Sequence, residues 1–321
     1  MLRRLLFLLF ILCLCGCGVQ SPVPETTQST VVTLPAPTED TQCTTEETMP
    51  RIGWQEEGGQ KYYLQADGSR ATGWLILETE EATYYLDENG YPHTGWLDLD
   101  GSTYYFLPDG TMAKGEVEIE GKNFHFTATG KKVIVVNPWN YIPEDYQPDL
   151  VSLGGKYGVD GSQVDRSCYD ALIAMLDDCN RECPRAYVVS SYRTQDYQAR
   201  NYARKVSRLK NQGYDEQTAK VEAAKVVAIP GTSEHQLGLA VDIIDTRLSN
   251  LVEAQADLPA QKWLMENSWR YGFILRYPKD KLEFTGITYE PWHYRYVGTE
   301  LAQELYESGL TLEEYIAALT Q

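Results

Sequence analysis

The stretch GTSEHQLGLAVDIID, residues 231–245, sets His235 and Asp242 seven positions apart around Gly238, directly before a β-branched run. An α-helix would put both side chains on one face but about 10.5 Å apart along the axis, too far to share one small ligand. In an unbroken strand the odd separation would send them to opposite faces. A bend at Gly238 removes both difficulties. His235 then precedes the turn, Asp242 rides the strand leaving it, and the two converge on a metal ion. The rest of such a site has to come from elsewhere in the chain.

The chain has four histidines. His93 and His125 fall in a repeat array, where hairpin-surface or stacking roles suffice, so the remaining imidazole is His293 in YEPWHYRY, residues 289–296. Its flanks, GITYE and HYRYVG, read as strands with the break confined by Pro291. Two histidines and one carboxylate make a three-ligand zinc site with an open fourth position, as catalysis requires. Glu290, three residues before His293, is a natural base for a water attacking a carbonyl, whose pKa zinc lowers towards about 7. Singly, each residue has a plainer reading: Glu290 pairs with Arg295, or Asp242 caps a turn. Set together in glycine- and proline-marked turns, they favour a metal. A third piece is VVSSYR, residues 188–193, a strand running into a loop that ends on Arg193, before a helix opening near Thr194-Gln195. A fixed guanidinium there stabilises an oxyanion or grips a carboxylate, against the default of a solvated surface arginine. Gln198, on the first turns of that helix, adds a hydrogen bond to the same substrate group.

These residues resemble the VanY-type D-alanyl-D-alanine carboxypeptidases, zinc peptidases grouped with the hedgehog domain and the lysostaphin-type enzymes. The shared pattern S-x-H-x-x-G-x-A-x-D is met by Ser233, His235, Gly238, Ala240 and Asp242. Glu290 to His293 supply E-P-W-H, and Ser190 to Arg193 supply S-x-Y-R with Ser191 added. NPWNYIPEDYQPDL (137–150) and YGFILRYPKDK (271–281) support the resemblance, which covers residues 134–321. It implies zinc ligands His235, Asp242 and His293, Glu290 as general base, Arg193 as transition-state or orienting residue, and Ser233 and Gln198 as peptide contacts. It also implies one Zn2+ per chain, peptidoglycan stem peptides as substrate, and a small antiparallel sheet flanked by helices, an α+β fold.

Residues 51–133 repeat themselves. Gly53-Trp54, Gly73-Trp74 and Gly95-Trp96 are each followed by an aromatic pair (Tyr62-Tyr63, Tyr84-Tyr85, Tyr104-Tyr105) and a turn dipeptide (Asp67-Gly68, Asn89-Gly90, Asp109-Gly110). Each unit reads as a short hairpin that must stack on neighbours to bury its rings. A last unit with Glu116 in place of tryptophan suits a cap. The array resembles the choline-binding and related cell-wall-binding repeats, solenoid-like chains of β-hairpins. In the choline-binding members aromatic cages hold a quaternary ammonium by cation–π attraction. The resemblance makes Trp54, Tyr63, Trp74, Tyr85, Trp96 and Tyr105 candidate cage residues. Choline, a wall glycan and a plain spacer all remain open.

The N-terminus sets the compartment. Arg3 and Arg4 precede the apolar run LLFLLFILCLC, too short for a comfortable membrane span and suited to secretion. Leu14-Cys15-Gly16-Cys17 resembles a bacterial lipobox, implying cleavage before Cys17 and its lipidation. Residues 1–17 are then a signal, and 18–50, rich in Thr, Pro, Ser and Glu, a disordered tether. The protein is expected outside the cytoplasmic membrane, anchored by lipid and wall-associated. A net charge of −18 excludes nucleic acid as partner. Of seven cysteines, Cys43, Cys168, Cys179 and Cys183 remain in the mature chain, with no C-x-x-C pair for a structural zinc. A Cys179–Cys183 bridge and buried free thiols both stay open.

Helical periodicity is read in Arg166–Cys179, in two stretches parted by Gly213, in Ala260–Tyr271 and in Glu300–Ser308, with a capping box at Thr311. Three functions compete: a D,D-carboxypeptidase removing the terminal D-alanine, an L,D-carboxypeptidase on tetrapeptide stems, and a catalytically inert wall-binding lipoprotein.

Overall fold

The computed structural model describes residues 30–31 and 52–320; the expected signal, Cys17 and all of the expected tether but Thr30 and Val31 lie outside the described residues. Among the described residues no helix is long and apolar enough to cross a membrane. Compactness divides the chain between His93 and Thr94.

The first unit holds β1 (Thr30–Val31) and two antiparallel hairpins, β2 (Gly53–Glu57) with β3 (Gln60–Leu64) and β4 (Gly73–Leu77) with β5 (Ala82–Leu86); β1 pairs in parallel with β4. Register sets Trp54 opposite Tyr63 and Trp74 opposite Tyr85, their rings edge-on at 5.4 and 5.2 Å. Trp54 also meets Tyr84 of the next hairpin at 4.8 Å. Stacking thus buries what a lone hairpin would leave wet.

The hairpin turns do not fall on the dipeptides singled out in the sequence. β2 turns into β3 on Gly58-Gly59, with φ of 62° and 83°. The later hairpins turn on Asp100-Gly101 (51°, 74°) and Glu120-Gly121 (52°, 76°). Positive φ at both central residues is what strand twist demands of a two-residue loop. Asp67-Gly68 and Asp109-Gly110 close the following turn, where each aspartate accepts the amide two residues on at 2.9 Å. This aspartate-capped turn needs positive φ at its glycine alone.

The second unit opens with β6 (Gly95–Leu99) and β7 (Ser102–Phe106), then β8 (Gly115–Ile119) and β9 (Lys122–Phe126), with β10 (Lys132–Val133) added to β9. Trp96 stands opposite Tyr105 and meets Phe124 at 4.9 Å, and Lys132 Nζ lies 5.1 Å from the Trp96 ring centre. There follow β11 (Leu150–Ser152), β12 (Gln163–Asp165), α1 (Arg166–Glu182), β13 (Ala186–Ser190), α2 (Gln195–Asn211), α3 (Glu216–Ala224), β14 (Ala240–Asp245), α4 (Pro259–Asn267), β15 (Phe273–Leu275), α5 (Leu282–Thr285), β16 (His293–Tyr296), α6 (Thr299–Ser308) and α7 (Leu312–Leu319). The central sheet is antiparallel throughout, in the order β13-β14-β16-β15.

Leu172, Met175, Leu176 and Cys179, at helical spacing along α1, bury against Val188, Val241, Ile243 and Tyr294 of the sheet. The helix starts where Asp165 Oδ1 accepts the Ser167 amide at 3.0 Å. The helix expected over Ala260–Tyr271 is cut at Asn267; a 3₁₀ turn, Ser268–Tyr271, ends on Gly272 at φ 82°. The capping box at Thr311 and Glu314 is present. GITYE, expected as a strand, forms none: its amides bond singly to separate segments, Thr288 to Lys225 O and Glu290 to Tyr277 O, and among the described residues no strand pairs with it. The fourth hairpin lies on α7. A Cβ at Gly115 would stand 2.6 Å from Thr320 N, and the Glu116 amide donates to Thr320 Oγ1 at 2.8 Å.

Cys168, Cys179 and Cys183 are free thiols, the first two buried. Burial pushes Cys168 and Cys179 up to about 12, helped by Asp165 and Cys183 respectively. Because the thiolate is the reactive form, both thiols are shielded from reaction at pH 8. Mass-spectrometric mapping after thiol labelling at pH 8 is expected to find both unmodified in the native protein and fully modified once it is unfolded in denaturant.

Candidate metal centre and active site

Asp242 sits on β14 with Ser190 of β13 opposite on one side and His293 of β16 opposite on the other. Its neighbours Val241 and Ile243 point into the apolar core, so the alternation of the strand turns Asp242 to the other face. His235 arrives from a 3₁₀ turn, Glu234–Leu237, ended by Gly238 at φ 73°. A Cβ on Gly238 would lie 2.9 Å from Asp165 N, so the bend needs glycine for space as well as for conformation. Glu290 begins a tight turn, with the His293 amide donating back to its carbonyl at 3.2 Å. Pro291 and Trp292 fill the middle of that turn.

His235, Asp242 and His293 each offer a ligand atom within 4.8 Å of the others. His235 Nε2 is 3.3 Å from Asp242 Oδ2, and His293 Nδ1 is 3.2 Å from Asp242 Oδ1. The rings meet edge-on at 4.9 Å. His235 Nδ1 lies 2.8 Å from the Ser191 carbonyl, which can only accept, so Nδ1 carries the hydrogen and Nε2 is left as a donor atom for a metal. Asp242 Oδ1 is buried with no hydrogen-bond partner. A buried carboxylate that turns one oxygen to each imidazole and leaves Oδ1 without a hydrogen bond fits a divalent cation, and two nitrogens with one carboxylate suit zinc.

Glu290 Oε2 lies 3.7 Å from His293 Nδ1. Burial pushes its carboxyl up to about 8; His293 and Arg193 pull it down while Asp242 adds to the rise. Burial, aided by Arg193, drives His235 down to about 4. In His293 burial acts the same way, but the facing carboxylates of Asp242 and Glu234 outweigh it and hold the ring up at about 9.

Arg193 Nη2 donates to Asp242 Oδ2 and to Ser190 Oγ, each at 2.8 Å. Gln198 is buried; its amide oxygen accepts from Arg193 Nη1 at 3.4 Å and its nitrogen donates to the Ala228 carbonyl at 2.7 Å. It therefore braces the arginine instead of projecting towards a ligand. Ser233 is buried one residue before the His235 turn.

Arg295 does not pair with Glu290. Its Nη1 donates to Glu234 Oε1 at 2.8 Å and its Nη2 to the Ile134 carbonyl at 2.9 Å. Glu234 and Arg276 are not singled out by the sequence, and Arg295 is read there only as a partner of Glu290, yet all three are buried behind His293. One signal was present: Arg295, two residues after His293 on a strand, has to share its face.

A four-stranded antiparallel sheet bearing this triad, with helices packed on it, defines the zinc-peptidase fold class. The family model for D-alanyl-D-alanine carboxypeptidase (VanY) matches residues 161–299, and that for the choline-binding repeat matches 52–90 and 93–139. A D-alanyl-D-alanine carboxypeptidase of Enterococcus faecalis is 43% identical over 57% of this chain. The chain spans 65% of that protein and 62% of YodJ from Bacillus subtilis, just under two thirds of these curated relatives. The structure of the vancomycin-resistance D,D-pentapeptidase VanY in complex with Zn(II) is 43% identical, with 57% of this chain and 97% of that one covered at a TM-score of 0.51. The LD-carboxypeptidase LdcB is 31% identical, with 70% and 94% covered, also at 0.51. The chain belongs to the VanY D-alanyl-D-alanine carboxypeptidase family, preceded by choline-binding-type repeats.

Gly238→Ala places a methyl group against the Asp165 amide at positive φ. It is expected to lower stability by about 1–3 kcal/mol in urea unfolding.

Proposed function

We propose that this protein is a zinc-dependent D,D-carboxypeptidase that removes the terminal D-alanine from peptidoglycan stem peptides at the cell surface. In this reading residues 134–321 carry the reaction and residues 51–133 attach it to the wall. Residues 1–17 direct it outward, and Cys17 holds it by lipid to the outer face of the membrane through the tether of 18–50. The observation that carries the reading is the convergence of His235, Asp242 and His293 around the unsatisfied Asp242 Oδ1, with Glu290 beside them.

His235, Asp242 and His293 would hold the zinc, which would supply Lewis-acid polarisation of the scissile carbonyl and make a nearby water more acidic. Glu290 takes the proton of that water and returns it to the departing amine of D-alanine. Arg193, half-buried and pinned by Ser190 and Asp242, offers fixed donors to the developing oxyanion or to the substrate carboxylate. Gln198 keeps the guanidinium in place, and Ser233 contacts the peptide. Buried surroundings make each of these interactions stronger than it would be in water.

The repeats raise the local concentration of substrate without adding contacts at the reaction site. Trp54, Tyr63, Trp74, Tyr85, Trp96 and Tyr105 are the candidate ring contacts for choline or a wall glycan. At Trp96 a quaternary ammonium would compete with the ammonium of Lys132, which lies 5.1 Å from that ring and 5.0 Å from Phe124. A second reading, cleavage of L,D bonds in tetrapeptide stems, is favoured by the likeness to LdcB.

Defined penta- and tetrapeptide muropeptides offered together, with products read by mass spectrometry, are expected to release D-alanine from the pentapeptide alone. Chelator should abolish the release and zinc restore it; loss of the tetrapeptide residue instead would establish the second reading. Glu290→Ala is expected to keep one zinc per chain while kcat falls about 10²–10⁴-fold. Near-normal turnover in that variant would remove Glu290 as the base.

A further inference from the structure

His235 and His293 present different nitrogens to Asp242, Nε2 from the first and Nδ1 from the second. A backbone carbonyl fixes His235. For His293 the far nitrogen, Nε2, faces Glu234 Oε2 at 3.4 Å. The other oxygen of Glu234 accepts from Arg276 Nε at 2.7 Å and from Arg295 Nη1 at 2.8 Å. The side chains of Glu234 and Arg276 are 0% exposed and that of Arg295 is 2% exposed.

We propose that Glu234 is a positioning residue for the metal centre: it receives the Nε2–H of His293 and so commits Nδ1 to the metal. This deepens the zinc-peptidase reading and rests on it. Held by two guanidiniums, the Glu234 carboxylate can only accept, and the hydrogen facing it has to come from the imidazole. Nδ1 is then the nitrogen from which a metal would displace the proton, on the side where Asp242 stands. Metal-bound histidines commonly donate their second nitrogen to a carboxylate in this way, which orients the ring and raises its basicity.

The arginines explain how such a carboxylate persists away from water. Burying one ion costs several kcal/mol unless partners compensate, and apolar residues would fill the same space at lower cost. Arg276 in turn grips both oxygens of Glu313 on α7, and Glu313 Oε1 also accepts from Asn137 Nδ2 at 3.0 Å. A line of paired charges therefore runs from a candidate metal ligand to the last helix. Its first member stands next to His235, so a single 3₁₀ turn supplies one ligand and the partner that orients another.

Glu234→Asp keeps the charge for both arginines but withdraws the oxygen from Nε2, whereas Glu234→Gln removes the charge. Zinc affinity of the full-length chain, measured by competition with a chromophoric chelator, is expected to fall about 10–100-fold in both. A purely structural charge predicts wild-type affinity for the aspartate variant, and that result would overturn the proposal. Should the variants fail to fold, ¹⁵N-edited imidazole spectra of the zinc-loaded wild type decide alone. His293 protonated at Nε2 with a metal-shifted Nδ1 supports the assignment; the reverse tautomer defeats it while the zinc-peptidase reading stands. A wild-type chain that takes up no zinc removes both.

Discussion

The level at which Asp242 stands in the sheet organises everything around it. Ser190 and His293 lie opposite it on the two neighbouring strands, so one row across the sheet supplies two candidate ligands and the hydroxyl that pins Arg193. A slip of one residue on β14 would turn Asp242 into the apolar core and bring Val241 or Ile243 to the site, because side chains alternate faces. The apolar contacts of Val241 and Ile243 with α1 therefore fix the register that the chemistry uses. His235 is brought over this row by the 3₁₀ turn and its glycine exit. Glu290 is set beside it by the turn at Pro291.

Burial penalises every charged group in this cluster, and neighbours decide which charges survive. Asp242, beside His235, His293 and Arg193, is held well below the usual carboxylate range although desolvation opposes it. Glu234, between Arg276, Arg295 and His293, is likewise lowered. Glu290 has no direct guanidinium partner, and its carboxyl rises instead. Three buried carboxyls thus divide into two held down by their partners and one raised by burial. The division follows from what faces each one.

The hairpin array obeys a different logic, since no single unit has a core of its own. Rings set opposite each other by register, such as Trp54 with Tyr63 and Trp96 with Tyr105, are completed by rings of the next unit, Tyr84 and Phe124. Where tryptophan gives way to Glu116, the neighbouring Gly115 lets the end of α7 approach closely. The fourth hairpin packs on the C-terminal helices: Tyr315 OH accepts the Ala128 amide, and Lys131 pairs with Glu300.

The sequence by itself named the four residues that converge, since His235, Asp242, Glu290 and His293 stand in glycine- and proline-marked contexts whose local geometry is strongly constrained. It also placed the longer helices, because their apolar spacing and caps are local properties, but it ran one past Asn267 and did not show the short α5. It misplaced the hairpin turns, where Asp-Gly serves two turn types and only the φ angles tell them apart. It took GITYE for a strand, because propensity cannot say whether a partner strand lies alongside. Tertiary structure alone decided what stands behind His293. Glu234, Arg276, Arg295 and Glu313 are far apart in the chain, and a charged residue reads as solvent-facing until the fold shows which opposite charges are buried with it.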